Sequence, residues 1–326
     1  MPVKKFLATN SKNCLGIEMK RASIDLGTNT CLLLIQEIKG SSEMVLHDES
    51  TIVRLGQGVA ETKLLNADAM VRTLACLKQY AEKAKSFGIA PESILAVGTA
   101  QARDAANAKP FFDEVEKSLG IHFRILSGNE EAKATFLGAA LPSVHPDHMV
   151  VLDIGGGSTE LVSLSTGNDS IFGESLAIGA VKLTERYLKS NPVTDEEYWQ
   201  CEAAIDSALE KMKDWRTALP DRMQTQPTLV AVAGTAVTLA MLQEGLTKYD
   251  PATIEKVMLT QGDAHRLVEE LKWRTVAERS QMPGMEAKRA DVILAGAMIF
   301  WRTMEVLNFK QAFISTRGLR YGVFKL

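Results

Sequence analysis

The sequence predicts an α/β protein of two lobes, and three observations carry that expectation. Strand-like and helix-like stretches alternate from about residue 21 to the end. A proline-bounded interruption at residues 142–148 splits the series. An Asp-Gly turn following an apolar strand heads each half. The 326 residues suit two domains at roughly 150 residues each, and 46% apolar residues supply two cores. The expected division is an N-terminal lobe over 21–143, a C-terminal lobe over 144–311, a segment at about 312–326 that can pack back on the first lobe, and a flexible extension over 1–20.

Taken in order, 22–26 reads as a short apolar strand and 31–38 as a second. A third stretch, 51–55, ends at the turn Gly56-Gln57-Gly58. Residues 66–87 have helical spacing, with Ala69, Leu74, Leu77, Tyr80, Ala81 and Ala84 on one face. Asn66 suits the N-cap of that helix and Gly88 the position just past its end. A strand at 94–98, a helix around 110–119, a strand at 123–126 and a helix at 130–140 follow. After the interruption a new series opens at Met149, and 228–233 has a buried-strand pattern leading into a helix.

The two Asp-Gly turns are copies of one pattern. Ile24-Asp25-Leu26-Gly27-Thr28-Asn29-Thr30 matches Leu152-Asp153-Ile154-Gly155-Gly156-Gly157-Ser158, with Asp on Asp, Gly on Gly and hydroxyl on hydroxyl at a constant offset. A duplicated domain is expected. The glycine-rich turn Gly155–Ser158 after a strand lets successive N–H groups close around an anion, so it is a candidate phosphate loop. It is not a Walker A loop and does not have the GxGxxG pattern. Asp153 and Glu160 bracket the second turn, a suitable setting for Mg²⁺, which takes one or two carboxylates with water and phosphate oxygens.

Further along, Gly234-Thr235 opens a helix after a buried strand, where partial positive charge and unpaired N–H groups favour a second anion. Ser315, Thr316, Arg317 and Arg320 add hydroxyls and guanidiniums near the C-terminus. Glu130 and Glu131 open a helix, with Asn129 a candidate N-cap. Adjacent helical positions point about 100° apart, so one of the two glutamates can face a ligand. Such a carboxylate could act as general base toward water, its pKa raised by burial and a bound anion. Chemistry alone leaves the choice between them open.

Other classes find no support. The balance of 37 Lys+Arg against 40 Asp+Glu, without basic residues interleaved with aromatics, argues against nucleic-acid binding. The longest charge-free run, 228–243, falls short of the roughly 20 apolar residues a membrane span needs. Cys14, Cys31, Cys76 and Cys201 are widely spaced, as expected of reduced thiols in the cytoplasm. His145 and His148 have weak metal spacing, and Ser158 has no His/Asp partners for a hydrolase triad.

Seven motifs occur in order: 25–30, 97–107, 125–132, 153–160, 178–185, 233–235 and 289–293. Together they resemble the exopolyphosphatase / guanosine pentaphosphate phosphohydrolase family of the actin-like ATPase superfamily, from about residue 21 to the C-terminus. The resemblance implies two ribonuclease-H-like lobes closing over a phosphate-binding cleft. It selects Glu131 as the general base and assigns Asp153 and Glu160 to Mg²⁺ or Mn²⁺. It assigns phosphate binding to Asp25, Gly27, Thr28, Asn29, Thr30, Arg103, Gly155, Gly156, Gly157, Ser158, Gly234 and Thr235.

The activity implied is release of terminal orthophosphate from inorganic polyphosphate, or of the 5′ γ-phosphate from pppGpp. ADP or ATP are conceivable side substrates, and a homodimer is compatible with the family. Longer members carry further helical domains that extend a basic channel. This sequence resembles the short two-domain form, for which processivity through such a channel is not implied. A catalytically silent regulator would not need all three carboxylates, and a small-molecule kinase would need an acceptor pocket with its own base.

Overall fold

A computed structural model describes residues 18–40, 42–164, 171–223 and 226–326. Most of the expected N-terminal extension, with Cys14, lies outside the described residues. Its last three positions do not belong to an extension: Glu18–Leu26 is one strand, β1, because Glu18, Met19 and Lys20 pair with Lys39, Ile38 and Glu37.

The chain divides into two compact units. The first takes the described residues through Gly138 together with Leu319–Leu326; the second runs from Ala139 to Gly318 over its described residues. The interruption at 142–148 therefore falls inside the second unit, a few residues past the change of unit. The returning segment is shorter than expected, because Gln311–Ile314 is a strand of the second sheet and only Leu319 onward joins the first unit.

In the first unit, β1 is followed by β2 (Thr30–Lys39), β3 (Ser42–Ile52), β4 (Leu95–Gly98) and β5 (Phe123–Ile125), in sheet order β3-β2-β1-β4-β5. The first three are antiparallel and the last two join in parallel. The expected third strand, 51–55, is displaced: pairing with β2 ends at Ile52, and Val53 to Leu55 leave the sheet. Its real extent is an edge strand rich in charge, which carries little apolar signal.

Helices α1 (Ala67–Ser86), α2 (Ala100–Asp104), α3 (Ala108–Leu119) and α4 (Gly128–Gly138) complete the unit's main chain path. The Asn66 side chain accepts from the N–H groups of Asp68 and Ala69, so α1 starts where its cap dictates. The face of α1 bearing Cys76, Leu77, Tyr80, Ala81 and Ala84 is buried. Tyr80 pins it to the sheet by donating to the Cys31 carbonyl (3.0 Å) and to Thr51 Oγ1 (2.9 Å).

The second sheet is built from β6 (Met149–Ile154), β7 (Thr159–Leu164), β8 (Ile171–Leu176), β9 (Thr228–Val232), β10 (Met258–Thr260) and β11 (Gln311–Ile314). Its order, β10-β11-β9-β6-β7-β8, repeats the first: an antiparallel triplet (β8-β7-β6) continues into parallel β9 and β11, with β10 added at the edge. The shared order is what the repeated turns led one to expect. Helices α5 (Ala180–Tyr187), α6 (Asp195–Glu210), α7 (Ala233–Glu244), α8 (Gln261–Lys272) and α9 (Ile293–Val306) belong to this unit. Helix α9 is apolar on nearly all sides and buried accordingly. A short helix, α10 (Leu319–Gly322), ends the chain back on the first unit. Among the described residues no helix is long and apolar enough to cross a membrane.

Candidate active site

In the first unit β1, β4 and β5 run parallel, with Leu26 beside Gly98 and Gly98 beside Ile125. The segments leaving their C-terminal ends therefore emerge along one edge, the edge at which open α/β sheets hold ligands. The turn after β1 is the first candidate phosphate loop. Gly27 N–H donates to the Thr30 carbonyl (2.9 Å), closing it. Val53 and Arg54 N–H both donate to the Asn29 carbonyl (3.0 and 2.9 Å), and Gly56 N–H to that of Thr28 (2.9 Å). Gln101 Nε2 donates to the Leu26 carbonyl (2.6 Å). The loop is thus held from outside, by side and main chain alike. Asn29 Oδ1 is buried with no hydrogen-bond partner among the described residues, the kind of orphan that a bound ligand would answer.

Asp25, at the end of β1, is buried. Desolvation pushes its carboxyl up to about 7, the negative charge of Glu131 adds to the rise, and Arg320 opposes it. Arg320 is not an exposed phosphate hook. It makes a bidentate pair with Asp48 (2.9 Å to each oxygen), and Tyr321 Oη donates to the same carboxylate.

The turn after β5 separates the two adjacent glutamates. Ser127, not Asn129, caps α4: its Oγ accepts from Glu130 N–H (3.3 Å), while the Glu130 carboxylate accepts from Ser127 N–H (2.9 Å) and Oγ (2.8 Å). Glu130 also pairs with Arg124, and these bonds hold its carboxyl below the usual range. Glu131 points elsewhere. Its side chain is 17% exposed and accepts from Arg103 Nη1 at 2.7 Å. Burial pushes its carboxyl up, and the Arg103 bond and charge pull the other way. One glutamate is thus occupied as a cap and the other sits buried beside an arginine.

In the second unit the turn Gly155–Ser158 repeats the first loop's closure, with Gly155 N–H donating to the Ser158 carbonyl (3.0 Å). Its glycine carbonyls receive the first N–H groups of α5: Ala180 donates to Gly155 (2.9 Å), and Val181 and Lys182 to Gly156 (3.0 Å each). Asp153 and Glu160 are direct partners across the β6–β7 pair, which places both carboxylates on one face of the sheet. Glu160 Oε1 accepts from Ser175 Oγ (2.8 Å). In the first copy the position opposite Asp25 is Leu32, so only the second copy presents a carboxylate pair.

Strand β9 lies parallel beside β6, with Val232 next to Asp153, so the Ala233-Gly234-Thr235 turn opens at the same edge as the triple-glycine turn. Ala233 has φ 64°, strained for a residue with a Cβ. A Cβ on Gly234 would collide with the guanidinium of Arg289, which is therefore packed directly on the first turn of α7. Arg289 is nearly buried, and desolvation lowers its pKa. The Thr235 Oγ1 is turned against Gly296 of α9. Thr316 and Arg317 are engaged with Glu255 (2.6 and 3.2 Å).

Sequence reasoning gave no role to Gln101, Arg289 or α5. All three lie inside quoted motifs, but their partners are remote in the chain, and only residue order was available to find them. Among the described residues no group of three or more His, Cys, Asp or Glu could hold a metal ion.

Two sheets of the same strand order, each with a closed glycine turn after its first strand, define the class: a two-lobed actin-like ATPase fold. A model of the Ppx/GppA phosphatase family matches residues 34–325, and the chain belongs to that family. It is similar to "Exopolyphosphatase 2" of Mycobacterium tuberculosis, 36% identical over 85% of this chain and 88% of that protein. It is also similar to the "Bifunctional 3-dehydroquinate synthase/phosphatase" of Fusobacterium nucleatum (31% identical, 89% of this chain). A third relative is the "Guanosine-5'-triphosphate,3'-diphosphate pyrophosphatase" of Aeromonas salmonicida (29% identical, 93% of this chain). The chain spans 43% of the length of the Fusobacterium protein and 58% of the Aeromonas one. Among solved structures, the Aquifex aeolicus PPX-GPPA enzyme superposes with a TM-score of 0.76 at 32% identity, covering 94% of this chain and 99% of that one.

Proposed function

We propose that this chain is a phosphoric anhydride hydrolase that releases terminal orthophosphate from inorganic polyphosphate, with Glu131 as general base toward the attacking water. The observation that carries the reading is the state of Glu131: a mostly buried carboxylate, set apart from its capping neighbour, at the sheet edge that also holds the first phosphate loop. A base of this kind needs a pKa nearer neutrality than a solvated glutamate has, and burial supplies that direction. The turns at Gly27–Thr30, Gly155–Ser158 and Gly234–Thr235 offer main-chain N–H groups to phosphate oxygens, with Arg103 and Arg289 adding charge.

Asp153 and Glu160 fit a divalent cation such as Mg²⁺ or Mn²⁺. Like charges directly opposed on neighbouring strands repel, and a hard cation that completes its shell with water and phosphate oxygens needs no third protein carboxylate. When bound, the cation would neutralise charge on the non-bridging oxygens. In phosphoryl transfer most of the work is positioning and charge stabilisation, which these groups can share.

Polyphosphate is favoured by the Mycobacterium relative, an exopolyphosphatase by name that is matched over nearly its whole length. The Aeromonas relative favours pppGpp, through a match to only part of its length. Two measurements decide. Glu131→Gln should keep polyphosphate binding and lose on the order of 10² to 10⁴ in turnover; near-wild-type phosphate release would remove the base assignment. Wild-type kcat/KM on polyphosphates of graded length and on pppGpp, side by side, ranks the substrates, and a clear preference for pppGpp would overturn the first choice.

A further inference from the structure

We propose that Arg103 is the positioning residue of Glu131, fixing its carboxylate through a single guanidinium nitrogen that is shared with the main chain. This rests on the reading of Glu131 as the base and adds how that base is aimed. Nη1 of Arg103 donates at once to the Leu126 carbonyl and to Glu131 Oε2, each at 2.7 Å. Leu126 is itself fixed, its N–H donating to the Gly98 carbonyl at the end of β4 (3.0 Å). Glu131 N–H donates to the Ser127 carbonyl (2.9 Å). A closed ring of hydrogen bonds therefore runs from β4 through the β5–α4 turn to Arg103 and back to the glutamate. One carboxylate oxygen is held in the ring, which sets the direction in which the other can accept a proton.

The electrostatics agree with this geometry. Glu131 loses water on burial, and Arg103 is the group that opposes the resulting rise. The other charged groups around it are differently engaged. Asp25 on β1 is buried behind the loop, and its own rise is fed by Glu131. Glu130, on the same helix, is taken by Ser127 and Arg124. From the C-terminal segment packed on α4, Arg320 and Tyr321 bond Asp48, and Lys325 Nζ donates to the Leu137 carbonyl (2.9 Å) at the far end of the helix. An arginine whose role was confined to gripping phosphate would not need its Nη1 committed twice within the protein.

The test is the pH dependence of kcat for orthophosphate release from short-chain polyphosphate and from pppGpp, in wild type, Arg103→Met and Arg103→Lys, with Glu131→Gln beside them. Removing the guanidinium leaves Glu131 harder to ionise. In Arg103→Met the acid limb of kcat should move to higher pH by about 1 unit or more. Arg103→Lys keeps the charge but not the planar fork, so its limb should stay near that of wild type while kcat falls several-fold. A rise in KM with kcat and its acid limb unchanged in both variants would overturn the proposal and leave Arg103 a phosphate ligand only. An active Glu131→Gln would instead sink the base reading itself. The two failures are therefore distinguishable.

Discussion

Asp25, buried, and Glu131, mostly buried, are two carboxyls on one unit, each made harder to ionise by loss of water. For Asp25 the folded value is raised above the ordinary one, to about 7, so the native state binds the proton more tightly than the unfolded chain. By linkage, stability is highest below the unfolded value and falls as pH rises from about 4 to about 7, where the unfolded chain has released the proton and the folded one has not. An Asp25→Asn variant removes that dependence. Urea midpoints should show it gaining on wild type across this window, by up to roughly 4 kcal/mol if the full shift is expressed. A constant difference from pH 4 to pH 8 would show that Asp25 titrates alike in the folded and unfolded chain. Glu131 has the same sign, so activity is expected to drop on the acid side at a pH above the range of an ordinary solvated glutamate.

Helix α4 carries Glu131 and is seated by elements far from it in sequence. The C-terminal segment lies so close that a Cβ on Gly322 would collide with the Ala134 carbonyl. Leu319 and Val323 share a small buried cluster with Val97, Leu126 and Ala134, and Ser23 Oγ donates to the Arg320 carbonyl (2.6 Å). Gly322→Ala should cost about 1–3 kcal/mol by overpacking, read as a lower denaturation midpoint. If it moves α4, kcat should fall further than KM rises. Residue order led one to expect that the C-terminal segment returns to this lobe, but not that it seats α4. The pattern of residues 315–320 offered two guanidiniums for phosphate, whereas Arg320 is buried against Asp48 and Arg317 pairs with Glu255, acids that local spacing cannot connect to them. What could be read were elements with strong local signals: α1 with its Asn66 cap, the two glycine turns and the buried β9. Strand β3 was misplaced because an edge strand with one wet face has weak alternation, and the apolar Val53 and Leu55 beyond it resemble strand more than its charged body does.

At the scale of the whole molecule, the duplication was visible because it is written into the two loops, and the repeated strand order and the matching Gly27 and Gly155 closures agree with it. Where the copies differ was less visible. Glu160 faces Asp153, while Leu32 faces Asp25, so equal motifs carry unequal charge. The return of the C-terminal segment to the first unit was expected, but its start was set too early, since Gln311–Ile314 is a strand of the second sheet and only Leu319 onward joins the first unit. Ending the chain at Gly318 should abolish or strongly lower the unfolding transition of the first unit in calorimetry while that of the second persists; two unaltered transitions would contradict the assignment.

That closing stretch bears on how the protein is made. A ribosome delivers the opening sheet early, yet the eight-residue piece that seats α4 leaves the exit tunnel only after the entire second unit has been synthesised. The lobe bearing the glutamate must therefore wait, incomplete, until its sister has been made in full.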